Sequence, residues 1–533
     1  MKRIAAVMLW MGVSIPFAAA DGPHDHHEHD AQTVISGKLT FPTSCPAVQK
    51  DFESAVAALH SFEYEVSEHQ FQAIEKKDPA CGIAYWGEAM SIWHQLWSRP
   101  TEAELARGRE QLAKGLQAKH LSARERDYVA ALNKFYADPK QAYEIRTKAY
   151  ADAMAGVHQK YSQDTEAAVF YALSLLASAS EQDPELKNQR QAVEILNTVY
   201  RNNPAHPGVA HYIIHSTDNP QLAPMGLEAA RRYAKLAPES PHAVHMPSHI
   251  FARLGLWRDD ITSNSQAVAV ADKLGHLHME HHKMHSTDFL HYAYLQIGDD
   301  AKAAEMATDL KNLDVTHIPE EFKDFREMLI ASFAARYALE RHQWKDALAL
   351  KPEASAAPFA QGIIYVANAA GAGHLRDADA AKKASDQFDA AVEAQKKAEK
   401  AYYAKGMENG QKEARAWAKY AAGDIDGAVS LLREVADKQD KVGKQETEMP
   451  AREMLADMLL EAKRPQEALR EYETSLKVDP NRFNSLNGAA QAATAAGQPE
   501  VAQKYHAQLV KNLEGVNSER AEAVRAKALV ASN

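Results

Sequence analysis

The chain has 533 residues, with 61 basic against 72 acidic side chains and a net charge of −11 when histidine is neutral. No polybasic run stands out, which argues against nucleic acid or an anionic membrane as the main partner. Glycine and proline are sparse (24 and 22) beside abundant alanine, a composition suited to closely packed helices.

Lys2 and Arg3 precede an apolar run from Ile4 to Phe17, and Ala18-Ala19-Ala20 forms a small-residue cleavage pattern before Asp21. Residues 1–20 are therefore expected to be a secretory signal, since the apolar run is short for a membrane span. The mature protein is expected to be periplasmic or secreted, with no membrane span after cleavage. Residues 21–45 read as a flexible histidine-rich linker, whose His24, His26, His27 and His29 suit either metal scavenging or a plain solvated tail. The only cysteines are Cys45 and Cys81. In an oxidising compartment they are candidates for one structural disulfide, with two free buried thiols as the alternative.

From about residue 46 the hydrophobic pattern is helical and it repeats. Leu455, Ala456, Leu459, Ala468, Tyr472, Leu476 and Pro480 carry the spacing of a 34-residue helix–turn–helix unit, and Ala489, Ala490, Ala493, Ala502 and Leu509 repeat it. Turns at Gly255, Gly298, Arg341-His342-Gln343 and Gly423-Asp424 mark further copies. The pattern resembles the tetratricopeptide repeat, and an all-α tetratricopeptide-like α-α solenoid, a right-handed superhelix of such pairs, is the fold expected. The expected division is an array over 46–310, further helical repeats over 311–410 and C-terminal repeats over 411–520.

Three stretches in the first array place histidine and aspartate at helical spacing: His211-Tyr-Ile-Ile-His215-Ser-Thr-Asp218, His242-Ala-Val-His245-Met-Pro-Ser-His249 and His285-Ser-Thr-Asp288. Residues three, four or seven apart share one helix face. By resemblance to the repeat family, the second, fifth, ninth and twelfth residues of each first helix line the concave groove. Pro204 and Pro238 close successive units, so the next helices begin at Pro207 and Pro241. His211, His215 and Asp218 then occupy groove positions of one helix, and His242, His245 and His249 those of the next. A third helix beginning near Met284 offers His285, Asp288 and Tyr292. Pro247 falls inside the second helix and is expected to kink it or delay its start. Between the second and third units, His276, His278, His281 and His282 read as loop residues.

Histidine with aspartate is a workable ligand set for zinc, copper or iron. His211, His215, His245, His249 and His285 are the expected ligands, with Asp218 and Asp288 as ligands or orienters and His206, His242 and Tyr292 behind them. Trp86, Trp93 and His94, with Trp97, mark a groove-lining aromatic set that either stacks a ligand or fills the core. The histidine segments, together with Asp78-Pro-x-Cys-x-x-x-Tyr-Trp-Gly87, resemble a bacterial family of exported tetratricopeptide-repeat proteins carrying HYIIH and HMPSHIF segments. That resemblance bears on fold and site location.

No His-Glu-x-x-His helix, Gly-x-Ser-x-Gly elbow, phosphate loop or dinucleotide fingerprint is present. The sequence leans toward a metal-binding protein rather than an enzyme, and any catalysis would be metal-dependent. The competing reading is a periplasmic scaffold that grips a peptide or protein in its groove without metal.

Overall fold

A computed structural model describes residues 37–96, 99–180, 183–274, 279–313, 320–398 and 403–532. The signal and most of the tail, Trp97, His276 and His278 lie outside the described residues, as does the side chain of His281. Among the described residues the chain is a succession of α-helices, with a single isolated bridge between Cys81 and His120. No described helix is long and apolar enough to cross a membrane. The fold is a tetratricopeptide-like α-α solenoid, as the repeats predict. It falls into two compact units, one running to Ile250 and the other from Phe251 to the C-terminal end.

In the unit ending at Ile250, helices alternate in antiparallel pairs: Gln49–His60 with Tyr64–Lys77, Gly82–Ile92 with Glu102–Gln117, Ala123–Tyr136 with Tyr143–Lys160, Thr165–Ala177 with Lys187–Asn202, and Pro207–Thr217 with Ala223–Tyr233. Local chemistry starts several of them. Thr101 with Glu104 and Ser122 with Glu125 form reciprocal capping boxes, and Pro207 sits in the first turn of its helix, where a missing N–H costs nothing. The array also returns to its beginning, because Gln49–His60 packs against Pro207–Thr217. Glycine allows that approach: a β-carbon on Gly208 would lie 2.5 Å from the His60 ring.

The unit beginning at Phe251 repeats the same hairpin with tighter turns. Successive pairs include Met279–Gln296 with Asp300–Asn312, Pro358–His374 with Ala378–Lys397, Ala451–Glu461 with Pro465–Val478, and Phe483–Ala495 with Pro499–Asn512. Every one of these four turns places one residue in the left-handed region: Gly298, Arg376, Lys463 and Gly497. The turns foreseen at Gly255, His342 and Gly423 do the same. Each closes a helix by a pair of crossed backbone hydrogen bonds, such as Gly255 N–H to Ala252 O and Leu256 N–H to Phe251 O. At the centre of this unit Arg482 is fully buried, donating to Glu340 at 2.7 Å and to both carboxylate oxygens of Glu453. Removing Arg482 would leave both buried carboxylates without their counter-ion, at a cost of about 3 to 5 kcal/mol.

The packed chain begins before residue 45, earlier than the expected linker boundary. Lys38 N–H donates to Ala205 O at 2.9 Å, and Phe41 is fully buried against Phe52, Trp86 and Tyr128. Cys45 and Cys81 are joined in a disulfide with their Cα atoms 5.6 Å apart, which pins this segment to the start of Gly82–Ile92. The crosslink spans 36 residues of sequence. Replacing both cysteines by alanine is expected to lower unfolding stability by about 2 to 4 kcal/mol. Urea denaturation of both proteins under non-reducing conditions checks this, and identical midpoints would refute it.

Candidate metal centre

Pro247 interrupts the second histidine helix for one residue only. Pro241–His245 is helical, Met246 keeps a helical backbone, and Pro247–Arg253 resumes. Met246 N–H donates to His242 O at 2.9 Å, so His242 and His245 stay on helix rather than in a loop. Proline removes one backbone donor, and it is accommodated as the first residue of the new segment.

His211 and His215 lie four apart on Pro207–Thr217, and their Nε2 atoms are 3.1 Å apart. His242 brings its own Nε2 within 3.1 Å of His211 Nε2. The three nitrogens all lie within 4.8 Å of one another. His211 and His242 are buried and His215 is half-buried. His242, placed behind the others by sequence, is thus part of one cluster with His211 and His215.

The proton positions follow from the partners. His211 Nδ1 is 2.7 Å from the His60 carbonyl oxygen, which can only accept. Nδ1 therefore carries the hydrogen, and Nε2 faces the other two rings as a bare lone pair. Burial pushes the His211 imidazole down to about 3, helped by neighbouring histidines, and pushes His215 well below the usual histidine range. Both rings are neutral near pH 7, the form that binds metal. Because these groups titrate below their unfolded value, they add stability above about pH 6.5, and that contribution is lost as pH falls from there toward their folded values.

A network that sequence reasoning missed holds His60 in place. Its Nε2 donates to Glu166 at 2.8 Å, its Nδ1 accepts from the Tyr212 hydroxyl at 2.9 Å, and His206 Nε2 donates to the other Glu166 oxygen at 2.7 Å. His60, Glu166 and His206 are essentially unexposed. His206 Nδ1 accepts the Val209 N–H at 3.3 Å, so its Nε2 must bear hydrogen. His206 is accordingly a hydrogen-bond donor to Glu166. Although burial opposes its ionisation, Glu166 stays far below the usual carboxylate range because the two imidazoles outweigh it. No spacing motif links residues 60, 166 and 206; the only cue was histidine at the end of a helix.

A second group lies on the next turn. His245 and His249 place their Nε2 atoms 3.0 Å apart, and His249 Nδ1 donates to Asp218 at 2.9 Å. Asp218 is thereby the orienter of His249. Two residues of the third stripe have other partners, within the unit that begins at Phe251. Asp288, expected as a ligand or orienter, is instead the counter-ion of Arg336 at 2.9 Å and accepts the Thr447 hydroxyl at 2.8 Å. Tyr292 is buried and its hydroxyl meets Arg482. His285 is half-buried, edge-on to Phe289.

Trp86 and Trp93 belong to the core. Trp86 and Trp93 are fully buried, Trp86 among Phe41, Tyr128 and Phe170, and Trp93 stacked on Phe135 at 3.6 Å. Segments distant in sequence build those clusters, which is why helix register alone placed both tryptophans in the groove. His94 stacks on Tyr64 at 4.1 Å, and burial pushes its imidazole down to about 4.

Phe62 walls the three-histidine cluster. Its ring centroid is 4.4 Å from His211, 5.3 Å from His215 and 6.0 Å from His242. Tyr233 stacks on the opposite side of the group, 4.9 Å from His211. Phe62 has φ 59°, the left-handed turn position that glycine fills in other hairpins of this chain.

No protein-family model matches the chain, and no curated protein matches it in sequence. Among solved structures, it is similar to the human IFIT1 dimer with m7Gppp-AAAA, at 13% identity and TM-score 0.35, covering 85% of this chain and 94% of that one. A monomeric IFIT1 mutant with Gppp-AAAA matches at 12% identity and TM-score 0.34, covering 85% and 95%. The likeness is loose, and no ligand is inferred from it.

The backbone at Phe62 yields a test with an inverted sign. Both Phe62→Gly and Phe62→Ala lose the ring, but glycine relieves the left-handed strain. Phe62→Gly is expected to be the more stable of the two by about 1 kcal/mol, against glycine's usual disadvantage. Urea midpoints of the two variants decide it; an alanine variant equal or superior would show that this turn is unstrained.

Proposed function

We propose that this chain is an exported tetratricopeptide-like solenoid that binds a transition metal ion, zinc, copper or iron, through His211, His215 and His242. The observation that carries the reading is the convergence of three imidazoles, with two Nε2–Nε2 separations of 3.1 Å. Three imidazoles around one ion with bonds near 2 Å would hold their nitrogens roughly 3.3 Å apart, close to the two separations of 3.1 Å about His211. Without a cation, His215 and His242 must both donate into the one bare lone pair of His211. A cation replaces that crowding with three good bonds.

Three protein ligands leave a further coordination position for water or a bound molecule, so storage, delivery and a metal-dependent reaction all fit. The leader-like N-terminus and the Cys45–Cys81 disulfide support export to an oxidising compartment. Membership of the exported family with HYIIH and HMPSHIF segments belongs to the same proposal.

Metal analysis of protein purified without an affinity tag tests it, with His24, His26, His27 and His29 changed to serine to silence the tail. Near-stoichiometric metal is expected, and His211→Ala plus His215→Ala should weaken binding at least about 100-fold. If the protein stays empty after incubation with Zn2+, Cu2+ and Fe2+ at neutral pH, the metal reading fails and a peptide-binding scaffold takes its place.

A further inference from the structure

The first cluster draws one histidine from the helix that begins at Pro241, and the same helix carries two more. His245 is three residues beyond His242, and His249 is four beyond His245, spacings that stack side chains along one face. His245 and His249 have turned their Nε2 atoms toward each other, 3.0 Å apart. Asp218, at the end of Pro207–Thr217, accepts from His249 Nδ1. A carboxylate only accepts, so Nδ1 holds the hydrogen and His249 Nε2 is a bare lone pair. Behind His245, Ser248 Oγ lies 3.3 Å from Nδ1, and a hydroxyl can rotate to accept from that nitrogen as readily as to donate to it. Both imidazoles can therefore offer Nε2 to one cation, each with its other nitrogen held by a partner.

This arrangement repeats the logic of the first cluster, where the His60 carbonyl does for His211 what Asp218 does for His249. The two groups are also neighbours. Asp218, which holds His249, directly follows the helix that carries His211 and His215, and His242 precedes His245 by three residues on Pro241–His245. His249 and Asp218 have side-chain exposures of 14% and 13%, so the second group is reachable from solvent, while the first is more enclosed.

We infer that His245 and His249 hold a second divalent transition-metal ion beside the first, with Asp218 as the positioning residue for His249. This rests on the metal reading of His211, His215 and His242. Positions that protein atoms leave open on the two ions would go to water or to an oxyanion shared between them. Oxyanions such as carboxylates or phosphates are the ligand class that a pair of adjacent cations recognises.

Zinc titration of the full chain with the four tail histidines changed to serine tests the inference, read by calorimetry and by metal count after gel filtration. Two ions per chain are expected. His245→Ala plus His249→Ala should leave one ion. Asp218→Asn should weaken only the second, by about 10- to 100-fold, as loss of a carboxylate partner does at other histidine sites. Circular dichroism identifies a variant that has not folded, and the Asp218→Asn arm stands without the double alanine protein. One ion in the wild type that survives the His245/His249 change overturns the second site and leaves the first standing. A wild type with no ion overturns both.

Discussion

Helices Gln49–His60 and Pro207–Thr217 can meet closely because residue 208 has no side chain. That contact brings the His60 carbonyl to His211 Nδ1 and the Tyr212 hydroxyl to His60 Nδ1. Nearly everything else about the three-histidine cluster depends on it. The carbonyl decides which nitrogen of His211 bears the hydrogen, and therefore which one faces His215 and His242. Glu166 then holds His60 from its far side, with His206 balancing the carboxylate. A buried glutamate would be costly alone; with two imidazole donors it becomes a rigid anchor.

The surrounding aromatic rings complete the constraint. Phe62 and Tyr233 lie against His211 and keep the cluster dry, which holds the imidazoles neutral. The chain accepts a left-handed phenylalanine at that turn, a position where most residues are strained.

Much of the fold was legible from sequence because the repeat writes itself locally. Glycine at 255, 298 and 423 marked turns that need a left-handed residue, and His342 was found by register although its type gives no hint. The site was legible to the extent that one helix carries it. His211 and His215 share a face by spacing, and Asp218 reaches the neighbouring helix at His249. What failed to show was tertiary. Arg336, 48 residues beyond Asp288, and Thr447, far beyond it, take that carboxylate out of consideration. Phe41, Tyr128 and Phe170 enclose Trp86 from three separate segments. His60 and Glu166 have no motif, and His242 meets His211 only across two separate helices.

The most direct test of the account is the coordination of the tightly bound ion. X-ray absorption of the zinc-loaded chain, with the tail histidines changed to serine and one equivalent of zinc added, counts imidazoles by their outer-shell scattering. The account predicts three imidazole nitrogens at about 2.0 to 2.1 Å with a light fourth ligand. A spectrum with oxygen ligands and no imidazole, or one unchanged by His211→Ala plus His215→Ala, would contradict it.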